Sequence, residues 1–140
     1  MIHPIITDIK LLKQKCLPVA EGEDISQLLQ DLRDTLTTQH GYGLSAIQIG
    51  VLKQVALYRL NDKEVILINP SVREKSERVT KMESCLSFPD IWILVDTYQH
   101  ITIKTKDGEF SASDLEAQII QHEIAHLNGI TIFQRKHKER

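Results

Sequence analysis

Two histidines four residues apart, His122 and His126, enclose Glu123 in an H-E-x-x-H sequence. Residues with this spacing stand on one face of a helix, one turn apart, so both imidazoles can bind a single metal ion. Glu123 would lie beside that ion, where its carboxylate can accept a proton from a water that the ion holds. Chance occurrence of the two histidines on one helix is disfavoured, because Glu123 would be costly to bury among isoleucine and leucine without a role. The segment therefore predicts a hydrolytic metal site.

A catalytic site of this kind needs a third protein ligand and an open position. A metzincin peptidase would place a histidine six residues after His126, where this sequence has Ile132. Few residues follow His126, so the third ligand is expected upstream. Cys85 is the best candidate, because a thiolate binds divalent iron or zinc well. The other cysteine, Cys16, is predicted to be a small buried side chain and not a disulfide partner, since nothing marks the chain as secreted.

The elements that must position these residues follow from the apolar pattern. An amphipathic helix near the N-terminus is predicted by apolar residues at helical spacing, namely Ile25, Leu28, Leu29, Leu32 and Leu36. Runs of β-branched and aliphatic residues predict strands at 55–60, 65–68, 72–80, 91–95 and 100–105. Asn61-Asp62 suits a hairpin turn between the first two of these strands.

The helix that carries H-E-x-x-H is predicted to start at Ser113, since Ser113 and Glu116 have capping-box spacing. Asn128-Gly129 is expected to end it. Its apolar residues predict a buried, central position: Leu115, Ile119, Ile120 and Ile124. The chain is therefore predicted to be α+β, a single catalytic domain over 1–140. Antiparallel β-sheets would pack around the central H-E-x-x-H helix, accompanied by the N-terminal amphipathic helix.

The composition excludes several other classes of protein. A formal net charge of -2 gives no bias toward nucleic acid or acidic membranes. The apolar runs are too short to cross a bilayer. Residues 1–10 lack the basic segment and apolar stretch of a secretory signal. A cytoplasmic protein without a membrane partner is expected, and a monomer is the expected state.

Three segments resemble, in order and in spacing, the motifs of the peptide deformylase family. Residues 41–48, Gly-Tyr-Gly-Leu-Ser-Ala-Ile-Gln, resemble G-x-G-L-A-A-x-Q. Residues 83–87, Glu-Ser-Cys-Leu-Ser, resemble E-G-C-L-S, and residues 121–129 resemble Q-H-E-x-D-H-L-x-G. The resemblance implies an enzyme that hydrolyses the N-formyl group from the N-terminal formylmethionine of nascent polypeptides and releases formate.

The resemblance also implies a role for each matching residue. The metal ligands would be Cys85, His122 and His126. Glu123 would be the general base for attack on the formyl carbon and then the acid toward the departing amine. The side-chain amide of Gln48 and the backbone N–H of Leu86 would stabilise the developing oxyanion, a role that commonly supplies a few kcal/mol. The usual metal of the family is Fe²⁺, and Zn²⁺, Ni²⁺ or Co²⁺ can take its place.

A substrate groove is implied as well. Gly43 would let a substrate strand approach the backbone closely. The methionine pocket would draw on Tyr42, Leu115 and Ile119. Trp92 stands where members of the family usually carry an arginine near the substrate, so the contacts beyond methionine are expected to be more apolar here.

This sequence departs from the family pattern at several positions. Ser84 stands at a motif glycine, Ser45 at a motif alanine, and Ile47 at a position that is often proline in the family. Typical members also pair an aspartate with an arginine, and here Ala125 and Thr97 stand at those two positions. Removing one partner of a buried ion pair strands a charge, whereas removing both can be neutral. The paired change is therefore expected in a working protein.

The C-terminal end is short for the family. Many bacterial members continue into a further helix, and a reduced form such as phage or organelle genomes carry would end in this way. The basic tail, residues 134–140, predicts a weak contact with ribosomal RNA, with a merely solvated tail as the alternative.

Two other functions compete with deformylation. A small zincin-type metallopeptidase would need no cysteine ligand, so it would stay active after Cys85→Ser. A non-enzymatic binding protein that keeps the metal for stability would tolerate Glu123→Ala and show no turnover.

Overall fold

The computed structural model describes residues 1–138. This part of the chain contains helices and two antiparallel sheets of three strands each. The helices are α1 (Ile9–Leu12), α2 (Ser26–Thr37) and α3 (Asp114–Leu127), with a 3₁₀ turn at Ala46–Ile49. The strands are β1 (Gly43–Ser45), β2 (Val55–Leu60), β3 (Lys63–Ile68), β4 (Ser71–Cys85), β5 (Phe88–Thr105) and β6 (Gly108–Ser113). The predicted α+β class with antiparallel sheets is confirmed.

The first sheet has the order β1-β2-β3 and is antiparallel throughout. Asn61 and Asp62 join β2 to β3 with φ angles of 52° and 63°. Two successive residues in the left-handed region are what a tight hairpin turn of the primed type requires, and asparagine and aspartate tolerate it. The predicted turn is confirmed. Helix α2 covers this sheet and buries Leu32 and Leu36 in its core cluster.

The second sheet has the order β4-β5-β6 and is dominated by a long two-stranded ribbon. β4 and β5 pair from Ser71↔Lys104 to Cys85↔Phe88, with a bulge between Glu83 and Cys85. Separate strands at 91–95 and 100–105 were the expectation, and one continuous strand, β5, replaces them. The polar residues between those two runs stay in strand conformation because β4 pairs with them. Apolar runs in the sequence do not predict such pairing.

Helix α3 lies against strands of both sheets. The predicted capping box at its start is wrong, although Ser113 is the N-cap residue. Ser113 Oγ pairs with His100 Nδ1 at 2.8 Å, and the Glu116 carboxylate accepts from the Tyr58 hydroxyl at 2.9 Å. Both side chains therefore have other partners. The predicted end is confirmed: Gly129 follows with φ 74°, and a Cβ there would meet the Lys13 carbonyl oxygen at 2.4 Å.

Cys16 and Cys85 are both buried and carry free thiols. Burial raises the pKa of the Cys16 thiol to about 11, so the thiol stays protonated and packs as a small apolar side chain. None of the helices within residues 1–138 combines the length and the apolar character that crossing a bilayer requires.

Candidate metal centre

The end of β4 and the middle of α3 bring three possible ligands together. One ligand atom from each of Cys85, His122 and His126 lies within 4.8 Å of the other two. Cys85 Sγ is 3.1 Å from His126 Nε2, and the two imidazole centroids are 4.9 Å apart. One thiolate and two imidazoles form a donor set that suits divalent iron or zinc. The residues present therefore fit a resident metal ion.

The imidazole of His122 is oriented by a carboxylate. Its Nδ1 donates to Glu83 Oε1 at 2.9 Å, which leaves Nε2 for a metal. Burial opposes a charge on His122, but hydrogen bonds with Cys85 and Glu83 outweigh it and raise its pKa to about 10. A metal must therefore compete with a proton at Nε2 of His122. For His126, burial acts with the charge of His122 and lowers the pKa well below the ordinary value.

Glu83 itself is 5% exposed and bonds to Arg135 as well as to His122. Burial favours its neutral acid form. The hydrogen bond from His122 and the charge of Arg135 together outweigh this effect and lower the pKa of the Glu83 carboxyl. The carboxylate is therefore ionised next to the imidazole that it orients.

Glu123 is 3% exposed, and its Oε1 has no hydrogen-bond partner among the residues described. Burial, with the charge of Glu83, raises its pKa to about 7. A Cβ at Gly43 would meet Glu123 Oε2 at 2.7 Å, so any larger residue there would displace this carboxylate. An unpaired buried carboxyl with a pKa near neutrality is the kind of group that moves protons.

Gln48 is 1% exposed and its side chain is held at both ends. Its Oε1 accepts from the backbone N–H and the hydroxyl of Ser45 at 3.0 and 3.1 Å. Its Nε2 donates to Ser87 Oγ at 3.1 Å and to Cys85 Sγ at 3.6 Å. The amide N–H groups therefore point toward the thiol. Ser45, a departure from the family motif, is the residue that fixes this orientation.

Gln48, Cys85, His122, Glu123 and His126 thus come together, and these five residues of the candidate site are called the metal centre below. The sequence alone assigns no role to three residues that support it, Glu83, Ser87 and Arg135. Glu83 carried a signal, because residues i and i+2 of a strand face the same side and Glu83 stands two before Cys85. Arg135, which is 52 residues from its partner, carried none.

Three of the residues predicted to bind substrate lie in more open surroundings. Tyr42, Trp92 and Leu115, here called the outer set, are 51%, 65% and 41% exposed. Tyr42 and Leu115 line one cleft of about 580 Å³ together with the β2–β3 hairpin. Ile119 is buried and does not line that cleft, and neither does Trp92. Leu86 lies in the two-residue turn after Cys85, against Gly41.

The remaining departures fall around α3 and the tail. Thr97 is buried, and its hydroxyl has no partner within the described part of the chain. Arg135 of the basic tail points inward to Glu83, so it is not available to an RNA, whereas Lys136 and Lys138 are exposed. Residues 139 and 140 of the tail lie outside the described residues.

An H-E-x-x-H helix that faces a cysteine at the base of a hairpin, in an α+β fold, is the arrangement of a metal-dependent hydrolase. The family model described as Polypeptide deformylase matches residues 2–140. The chain therefore belongs to the peptide deformylase family and is a hydrolase that removes the N-formyl group from nascent peptides.

Relatives and solved structures agree with this assignment. The peptide deformylase of Blochmanniella pennsylvanica is 37% identical over 119 residues, 79% of this chain and 69% of that protein. That of Caldicellulosiruptor bescii is 34% identical over 127 residues, 86% of this chain and 76% of that protein. The crystal structure of peptide deformylase from Thermotoga maritima has a TM-score of 0.91 at 25% identity and covers 99% of both chains. The Synechococcus elongatus enzyme in complex with actinonin has a TM-score of 0.87 at 27% identity, covering 99% of this chain and 79% of its own.

Proposed function

We propose that deformylation by this chain takes place at one divalent metal ion, Fe²⁺, held by Cys85, His122 and His126. The proximity of the three ligand atoms beside the buried Glu123 is the observation that supports this proposal most strongly. When bound, such an ion polarises a carbonyl and lowers the pKa of a water. Zn²⁺, Ni²⁺ or Co²⁺ would suit the same donor set, and cellular supply decides among them.

Glu123 is proposed to carry the proton through the reaction. Its carboxylate takes a proton as the water oxygen bonds to the formyl carbon. The C–N bond then breaks, and Glu123 returns the proton to the departing amine of methionine as formate leaves. A carboxyl whose pKa lies near 7 can serve in both directions, because neither of its protonation states is strongly favoured.

Gln48 and Leu86 are proposed to stabilise the negative charge that develops on the formyl oxygen. The Gln48 amide is oriented through its Oε1 by Ser45, and the N–H that makes only the long 3.6 Å contact with Cys85 Sγ would be the donor to the oxyanion. The backbone N–H of Leu86 follows directly after Cys85 and would be the second donor.

Substrate recognition is proposed to use the outer set together with Gly43 and the buried Ile119. Gly43 lies in β1, an outer strand of the first sheet, and a peptide strand would pair along that edge. Tyr42, Leu115 and Ile119 would contact the methionine side chain, whose thioether suits an apolar pocket. Trp92 would contact the residues that follow methionine, with its large exposed ring.

The cellular setting and the partners of this chain are also proposed. We expect residues 1–140 to act as one catalytic domain organised around α3, as a monomer in a cytoplasm that makes formylated nascent chains. A phage gene expressed in a bacterial cytoplasm would also provide this setting. Lys136 and Lys138 are exposed and would offer a weak contact with ribosomal RNA.

Formate release from a formyl-Met-Ala-Ser peptide tests the proposal directly. Protein purified with Fe²⁺ under anaerobic conditions should release one formate for each free amine that appears. Absence of turnover with the metal in place would overturn the enzymatic proposal and favour the binding protein. Full formate release by Cys85→Ser, in contrast, would overturn the proposal that Cys85 is a metal ligand.

A further inference from the structure

A guanidinium from the segment after α3 reaches the carboxylate that orients His122. Arg135 is 13% exposed, and its Nη1 donates to Glu83 Oε1 at 2.7 Å while its Nη2 donates to Oε2 at 3.3 Å. The same Oε1 accepts from His122 Nδ1 at 2.9 Å. One carboxylate oxygen thus joins the guanidinium to the imidazole.

The backbone around Arg135 is fixed to the ribbon on which Glu83 lies. The Asp96 N–H donates to the Arg135 carbonyl at 3.2 Å, and the His137 N–H donates to the Leu94 carbonyl at 2.7 Å. The Phe133 ring packs edge-on against Phe88, with centroids 4.7 Å apart. The segment is therefore anchored on both sides of Arg135.

The geometry also explains why Glu83 needs a second partner. A carboxylate at 5% exposure loses most of its hydration, and the single N–H of His122 can satisfy only one of its two oxygens. The planar fork of an arginine binds both oxygens at once and holds the carboxylate plane in one orientation. A fixed carboxylate in turn fixes the ring of His122.

We infer that Arg135 is a positioning residue for the metal centre. It holds Glu83 so that Nδ1 of His122 stays occupied and Nε2 faces the other two ligands. This inference rests on the metal site proposed above. It assigns a role in metal binding to a residue of the C-terminal segment that touches neither metal nor substrate.

Zinc affinity, measured by competition with a chromophoric chelator well below the unfolding temperature, tests this role. Arg135→Gln is expected to weaken zinc binding about 10-fold, the lower end of what loss of an outer partner of a metal ligand costs. Arg135→Lys should fall between that variant and the wild type, since lysine offers one point charge and no fork. Lys81→Gln, which removes an exposed charge from the same strand as Glu83, should bind zinc like the wild type.

A double variant shows whether Arg135 acts through Glu83. Both Glu83→Gln and Arg135→Gln should weaken zinc binding, and their combination should cost less than the product of the two losses. Wild-type affinity in Arg135→Gln, or a lower Tm without a change in affinity, would overturn the inference while leaving the proposed function intact. Failure of the wild-type chain itself to bind zinc would overturn both.

Discussion

The metal centre and the outer set differ in how their side chains are held. In the metal centre, Cys85, Gln48 and Glu123 are each at most 6% exposed, and hydrogen bonds fix the Gln48 amide at both ends. In the outer set, Trp92 is 65% exposed. Buried and oriented groups suit chemistry, whose electrostatic effect depends on preorganisation. Exposed side chains suit substrates whose sequences vary, because they can rearrange. Substitutions in the two regions should therefore change different kinetic constants.

The largest effect is expected from the ligands. Replacing Cys85, His122 or His126 with alanine should abolish both metal binding and formate release, since two ligands cannot hold the ion in a defined geometry. Cys16→Ala, which removes the other thiol, should keep the metal. Metal content by atomic spectroscopy is the measurement. Full occupancy in Cys85→Ala would contradict the three-ligand site.

Glu123→Ala should separate binding from chemistry. The metal should stay, and kcat should fall on the order of 10²-fold or more, because the proton carrier is gone. Glu116→Gln, on the same helix, is the matched control and should retain its turnover. Steady-state formate release together with metal content checks both statements. Near-normal turnover of Glu123→Ala would mean that the base lies elsewhere.

Gln48→Ala should lower kcat by about 10²-fold, the effect of losing one donor to a developing oxyanion. KM should change little, because the donor acts mainly in the transition state. Ser45→Ala should lower kcat less, since it removes only one of the two donors to Gln48 Oε1. A change confined to KM in Gln48→Ala would argue for a role in substrate binding alone.

Trp92→Arg should produce the smallest effect, a change of a few-fold in preference. Wild type should favour apolar second residues in formyl-Met tripeptides, and the variant should shift toward acidic ones. The shift stays small because an exposed charge pair contributes little. Trp92→Phe, which keeps an apolar ring, should rank the peptides as wild type does. Identical rankings of kcat/KM in wild type and Trp92→Arg would show that Trp92 does not face the substrate.

What could be predicted from the sequence was mainly local. The Asn61-Asp62 turn and the end of α3 at Gly129 depend on residues adjacent in the chain, and both predictions are confirmed. The assembly of Cys85 with His122 was predicted from chemistry and resemblance. The bond between Arg135 and Glu83 could not be predicted, because it depends on where the C-terminal segment packs. The capping box at Ser113 failed for a similar reason, since tertiary partners took its side chains.

The two-residue turn beside Cys85 has a consequence for how the length of this chain can vary. Leu86 and Ser87 join the strands, and Cys85 pairs with Phe88 directly at the turn. The register of a hairpin is set at its turn, and a slip of one residue moves side chains to the opposite face. Insertions or deletions far out on the ribbon, near Ser71, would therefore disturb only the pairs beyond them. One residue gained or lost within the turn would rotate the thiol away from the histidines, so natural length variants should accumulate outside this turn.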